Sequence, residues 1–134
     1  MQIDADLNEV KDIEALPSGV YSAVILVEPK LVASREKKTP GIEFELTLTD
    51  PGTEIAPGVA RTFRHTVYKS EKFSWQHVGM KEICEACGVS MTRPDTIEFV
   101  NTSLNIALSQ EPYLDKRSGE IKNRNKIDYL LKKA

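Results

Sequence analysis

Residues 42–49 read Ile-Glu-Phe-Glu-Leu-Thr-Leu-Thr. Ile42, Phe44, Leu46 and Leu48 alternate with Glu43, Glu45, Thr47 and Thr49. A period of two sends one set of side chains into a core and the other into water, which is the signature of a half-buried β-strand. Asp50-Pro51-Gly52 ends the run, and Pro57-Gly58 marks the rest of the loop that follows. The chain must therefore build a sheet with one covered face, and the flanking segments have to supply its partners.

They carry the right chemistry. Val20–Val27 is rich in β-branched residues and nearly continuous in apolar character, which suits a buried strand. Pro29 interrupts it, and Leu31 and Val32 continue it past a bulge or bend. Residues 34–41 form a basic loop ending in Pro40-Gly41. Arg61–Lys69 reads as a third strand, with Phe63, His65 and Val67 on one face and Thr62, Arg64, Thr66 and Tyr68 on the other. Ser70 is the expected cap of a helix running to about Cys87, with Gly88 as its stop. Phe73, Met80, Ile83, Cys84 and Cys87 form its apolar stripe. Leu104, Ile106 and Leu108 alternate as a fourth strand, residues 109–124 read as a long polar connection, and Lys126–Leu130 is the fifth strand or its end.

A helix between the third and fourth of five strands is the OB-fold order. That fold is a partly open five-stranded barrel whose second and third strands, with the 1–2 and 4–5 loops, hold ligand. The expected class is thus mostly β and OB-like. An α+β sandwich shares the same element order, and pattern alone does not fix strand pairing.

The length of 134 residues suits one domain. Leu16-Pro17-Ser18-Gly19 punctuates the chain, so residues 1–16 are expected to be an acidic N-terminal arm and 17–134 the OB-like domain. No run is long enough to span a bilayer, and the N-terminus lacks a basic-then-apolar signal pattern. The two cysteines fit a reducing compartment, so the expected location is inside the cell.

Net charge is -2, but it is unevenly spread. Residues 1–16 hold Asp4, Asp6, Glu9, Asp12 and Glu14 against Lys11. Residues 113–134 hold seven bases against three acids. Both loops that an OB-fold would use are basic: Arg35, Lys37 and Lys38 in the first, and Lys116, Arg117, Lys122 and Arg124 in the second, with Tyr113 at its start. Such side chains neutralise phosphates and release counterions. Tyr113 and Tyr68 are candidates to stack on unpaired bases, and Arg64 shares a strand face with Tyr68. Glu43 and Glu45 oppose this reading, since they stand where an OB ligand would pass; pairing with Arg61 or Arg64 across the ladder would offset them. Charged loops are also ordinary on any soluble domain.

Cys84-Glu85-Ala86-Cys87 with His65 and His77 would be the chain's whole stock for a zinc site. Both thiols fall on the apolar stripe, where cysteine is a common core residue, so no metal or other cofactor is expected. Trp75 and Phe73 are expected to seal the helix onto the sheet. No serine has a paired base at readable spacing and no glycine-rich phosphate loop is present, so the expected protein is not an enzyme.

Leu16-Pro17-Ser18-Gly19-Val20-Tyr21, the strand at 41–50, the helix at 80–89 and the stretch Glu111–Arg124 together resemble a family of small phage and prophage proteins, regarded as OB-like single-stranded-DNA-binding proteins. The resemblance covers about residues 16–129. It implies a non-catalytic protein of phage replication or recombination in the bacterial cytoplasm, binding single-stranded DNA with low sequence specificity. Its implied partners are DNA and phage or host replication and recombination proteins, with no membrane; self-association stays open. The chain departs from many single-strand-binding proteins by ending Leu130-Leu131-Lys132-Lys133-Ala134, without an acidic tail. The competing expectation is an OB-like protein-interaction module whose loops are merely solvated.

Overall fold

A computed structural model describes residues 1–2, 14–72, 74–75 and 77–133. Most of the acidic arm and Phe73 therefore lie outside the described residues. The elements are β1 (Gly19–Val24), β2 (Lys30–Ala33), β3 (Pro40–Leu48), β4 (Thr62–Tyr68), α1 (Val78–Cys87), a 3₁₀ turn at Thr96–Phe99, β5 (Ser103–Leu114) and β6 (Ile121–Leu131). The protein is mostly β, with its six strands in one antiparallel sheet. No helix among the described residues is long and apolar enough to cross a membrane.

β3 organises the sheet. One of its edges pairs with β4 from Gly41↔Tyr68 to Thr47↔Thr62. The other edge is shared: β1 takes the end of β3 through Ala23↔Leu48, and β2 takes its start through Lys30↔Glu43 to Ala33↔Pro40. Pro29 lies in the break between the two short strands, where a missing backbone donor does least harm. β1 then pairs with β5, and β5 with β6.

The alternation read in 42–49 is realised. Phe44 and Leu46 are fully buried and Leu48 nearly so, while Glu43, Glu45 and Thr47 face outward. Phe44 meets Phe99 edge to face, ring centroids 5.0 Å apart. Leu104, Ile106 and Leu108 on β5 and Ile83, Cys84 and Met80 on α1 complete the core. Burying each large apolar side chain contributes about 1.5–3 kcal/mol. β1 is less buried than its composition implies: Ala23 is buried, but Val20, Leu26 and Val27 in and after it are exposed.

The helix starts later than expected. His77, not Ser70, caps it, its Nδ1 accepting from Gly79 N at 2.9 Å. Ser70 instead closes a turn in which its N–H donates to Ser74 O. Gly88, at φ 72°, ends the helix, and Val89 N–H reaches back to Cys84 O at 3.0 Å.

Residues 109–124 are not a loose connection. They are mostly the outer half of a long β5–β6 hairpin, paired from Ser109↔Lys126 to Leu114↔Ile121. Both faces of this half meet water, so its sequence carries no apolar alternation to betray the strands.

The sheet is not closed into a barrel: β4 and β6 share no ladder among the described residues. Other groups occupy the seam between them. Near one end Glu82 on α1 accepts from Leu130 N at 2.7 Å, and a Cβ on Gly79 would stand 3.6 Å from Val67. Near the other, Arg61 donates to Glu14 O at 2.8 Å. There the Asn125 amide holds the backbone of Leu16 from both sides, accepting its N–H at 2.8 Å and donating to its carbonyl at 2.9 Å.

Candidate nucleic-acid interface

The outward face of the β3–β4 ladder carries Gly41, Glu43, Glu45 and Thr47 opposite Tyr68, Thr66, Arg64 and Thr62. At about 3.4 Å per residue this strip is roughly 20 Å long. Tyr68 lies across Gly41: a Cβ there would stand 2.8 Å from the Tyr68 ring. Glycine thus lets the ring come close to the neighbouring strand while the residue stays 44% exposed. The expectation of an ion pair across the ladder holds for Arg64, whose Nε is 3.8 Å from Glu43; Lys30, absent from the sequence reading, is 3.6 Å from the same oxygen. Arg61 instead binds the Glu14 carbonyl. Arg64 also stands directly opposite Glu45 in register, but both cations pair with Glu43, and Glu45 has no ion pair among the described residues.

A basic turn stands at one end of this strip and the arm of a basic hairpin at the other. Residues 34–39 join β2 to β3 beside the Gly41–Tyr68 pair, and expose Arg35, Lys37 and Lys38. At the other end, Arg61, Thr62 and Phe63 share a cleft of 310 Å³ with Tyr113, Arg124 and Asn125 of the β5–β6 hairpin. That hairpin carries Lys116 and Arg117 at its turn. The turns therefore do not meet in one pocket. The first adjoins the Gly41–Tyr68 end of the strip, and the arm of the second turn's hairpin adjoins the Thr62 end.

The hairpin's cations are not equivalent. Lys122 Nζ lies 2.8 Å from Asp115, and Arg124 Nε lies 2.7 Å from Glu111 while its guanidinium sits 5.7 Å over the Tyr113 ring. The Lys122 ammonium and the backbone N–H of Arg117 hold the Asp115 carboxyl down at about 2. The same partnership raises Lys122. Lys116, Arg117, Arg35, Lys37 and Lys38 have no ion pair among the described residues.

The remaining titratable candidates lie on the inner side. His65 faces Phe44 across the ladder, and burial lowers its pKa while the Glu82 carboxylate pulls it back up. Burial raises both Cys84 and Cys87, so neither thiol is activated. No group of three or more potential metal ligands converges among the described residues. Trp75 packs partly against the core, beside α1, away from the strip.

Sequence reasoning missed Lys30, Gly41 and Asn125. Pro40-Gly41 was legible only as a turn signal, and the pairing that brings Tyr68 over Gly41 has no sequence marker.

These features define a class: an open antiparallel sheet, closed on its inner side by one helix, whose outer polar strip runs from a basic turn to the arm of a basic hairpin. No protein-family model matches the chain, and no curated protein matches it in sequence.

Proposed function

We propose that this protein binds single-stranded DNA with little sequence preference, as a non-catalytic, OB-like protein of phage replication or recombination in the bacterial cytoplasm. The observation that carries the reading is the strip itself: the Tyr68 ring close over Gly41 and Arg64 on the same face, with a basic turn at one end and the arm of the basic hairpin at the other. An extended strand laid along it would stack a base on Tyr68 and set phosphates against Arg35, Lys37 and Lys38 at one end and Lys116 and Arg117 at the other. Lys30 and Arg64 offset Glu43, one of the two carboxylates that oppose DNA on this face. The strand order also supports it. With β1 and β2 taken as one interrupted strand, the sheet runs β4-β3-β1/β2-β5-β6, the OB order opened along one seam.

The test is fluorescence anisotropy with a ~30-nucleotide single strand at low salt. Binding that weakens steeply as salt rises is expected. No binding at tens of micromolar protein would sink the reading.

A further inference from the structure

Two adjoining hollows open on the side of the molecule that carries α1. One has a volume of 570 Å³ and the other 770 Å³, and they share Ile42, Trp75 and Thr96. The floor is apolar, formed by Ile42, Trp75, Met80, Cys84 and Phe99. Apolar side chains also stand up around it: Val78 is 81% exposed, Leu31 72% and Met91 57%. A run of this kind is how soluble domains present a binding groove.

The charge lining it is mostly positive. Lys30, Lys81 and Arg93 line the two hollows against Glu28 alone, on a chain whose net charge is -2. Lys81 lies 3.9 Å from Glu85 and Lys30 3.6 Å from Glu43, loose pairs that a stronger anion could replace. Arg93 has no ion pair among the described residues. Two residues at the groove's lips hold left-handed backbone, Ser74 at φ 54° and Arg93 at φ 47°. Such conformations persist where the surroundings enforce them. Here one precedes Trp75 and the other belongs to Arg93, which lines the larger hollow.

We propose that this groove docks an acidic segment of a partner protein, with large apolar side chains as its anchors. Two hollows joined end to end suit a linear ligand. Its anchors would fill them against Trp75 and Met80, and its carboxylates would meet Lys30, Lys81 and Arg93. The groove shares no residue with the basic turns; it shares Lys30 with the strip, so the test reads Trp75 and Arg93, which take no part in the DNA reading.

Trp75 is the chain's one tryptophan, so its emission reads groove occupancy directly. The probe is a synthetic peptide of about 14 residues, Leu and Phe at i, i+3, i+4 and i+7 with Asp and Glu elsewhere. Its control replaces every acid by lysine. The acidic peptide should shift Trp75 emission saturably, and the lysine peptide should not. Arg93→Glu should weaken binding at least tenfold. Val78→Asp should abolish it without disturbing the fold, because Val78 is exposed and begins α1, where a carboxylate is favourable. Unchanged Trp75 emission overturns the proposal, as does equal binding of the lysine peptide. An oligothymidylate that shifts Trp75 emission, with the shift lost in Arg93→Glu, would assign the groove to nucleic acid instead. Self-association in sedimentation that Val78→Asp abolishes, without peptide binding, would assign it to a second copy of the chain.

Discussion

The two basic turns are the same six-residue turn built twice. In one, Ser34 N–H donates to Thr39 O and Lys38 N–H to Ser34 O; in the other, Asp115 N–H donates to Glu120 O and Gly119 N–H to Asp115 O. The fifth residue is left-handed in both, Lys38 at φ 55° and Gly119 at φ 73°. The first side chain braces both: Ser34 Oγ accepts from Thr39 N, and Asp115 from Arg117 N. The difference lies in what each turn does with its charge. The 34–39 turn keeps three cations without ion pairs and puts lysine where glycine would be relaxed. The 115–120 turn uses glycine there, and its aspartate ties down Lys122. A count along the sequence, four basic residues over 116–124 against three over 35–38, ranks the hairpin higher, whereas the geometry gives the first turn more cations available to phosphate.

The largest expected effect separates the two turns. Replacing Arg35, Lys37 and Lys38 together by alanine should lower the salt slope of DNA binding by about 2 and the affinity at 0.1 M salt on the order of 100-fold. Replacing Lys122 and Arg124 together should change the slope by less than about 1, because their charges already face Asp115 and Glu111. Salt titrations of both variants decide this. A larger loss from the Lys122 and Arg124 pair would reverse the ranking.

Next in size is the strip between the turns. Gly41→Ala drives a methyl into the Tyr68 ring and should cost about tenfold in affinity, within the roughly 1–3 kcal/mol of one stacked base. Tyr68→Ala should cost as much, and the double variant little more. The salt slope should stay unchanged in all three, which distinguishes lost stacking from lost charge. Additive losses would mean that Gly41 acts by some other route than the ring.

These two predictions rest on features of unequal visibility in the sequence. The β3 alternation was plain because one face is buried: water on one side and core on the other write the period into the residues. The polar face of β4 was legible for the same reason, and so was the Glu43–Arg64 pairing. The outer arms of β5 and β6 were hidden because neither face is covered, leaving Glu111, Tyr113, Lys122 and Arg124 to look like loop. The start of α1 was misplaced because Ser70 is the better N-cap by composition, yet the turn that Ser70 closes with left-handed Ser74 keeps the helix from starting before His77. The open seam is a matter of tertiary pairing alone. Nothing local in β4 or β6 tells that α1 and Glu14–Leu16 stand where a ladder would close. Among candidate site residues, sequence order placed Tyr68 with Arg64 correctly. It could not tell tethered cations from unpaired ones, since a partner such as Asp115 for Lys122 is fixed by the turn.

A smaller effect tests whether Lys38 is kept for binding at a cost in stability. Lys38→Gly should raise unfolding stability by about 1 kcal/mol, because glycine adopts the left-handed backbone freely. It should also lower the salt slope by about 0.7, one phosphate contact on a single strand. Gly119→Ala should do the reverse to stability, falling by a similar amount, with no change in slope. Denaturant melts and salt titrations on the same samples read both. If Lys38→Gly gained stability and kept its slope, that lysine would be a passive member of the turn.

The smallest effect uses acid to separate the twin turns. The Asp115 carboxyl sits at about 2 in the folded turn against an ordinary 3.8. A depressed carboxyl contributes stability above its unfolded value and loses it as pH falls through the folded one. The 115–120 turn should therefore loosen between pH 4 and 2, whereas the 34–39 turn is braced by the Ser34 hydroxyl, and its carboxylate, Glu36, makes none of the turn's hydrogen bonds. NMR shifts of the Arg117 and Gly119 amides should move through that window together, while those of Lys38 and Thr39 stay put. In Asp115→Asn the amide oxygen can still accept from Arg117 N, so the turn keeps its shape and its acid sensitivity goes. The same change releases Lys122, and its ammonium should then add up to about 0.7 to the salt slope of DNA binding. An Asp115→Asn protein whose slope stayed fixed would mean that Lys122 points away from the bound strand, and the strip's second end would rest on Lys116 and Arg117 alone.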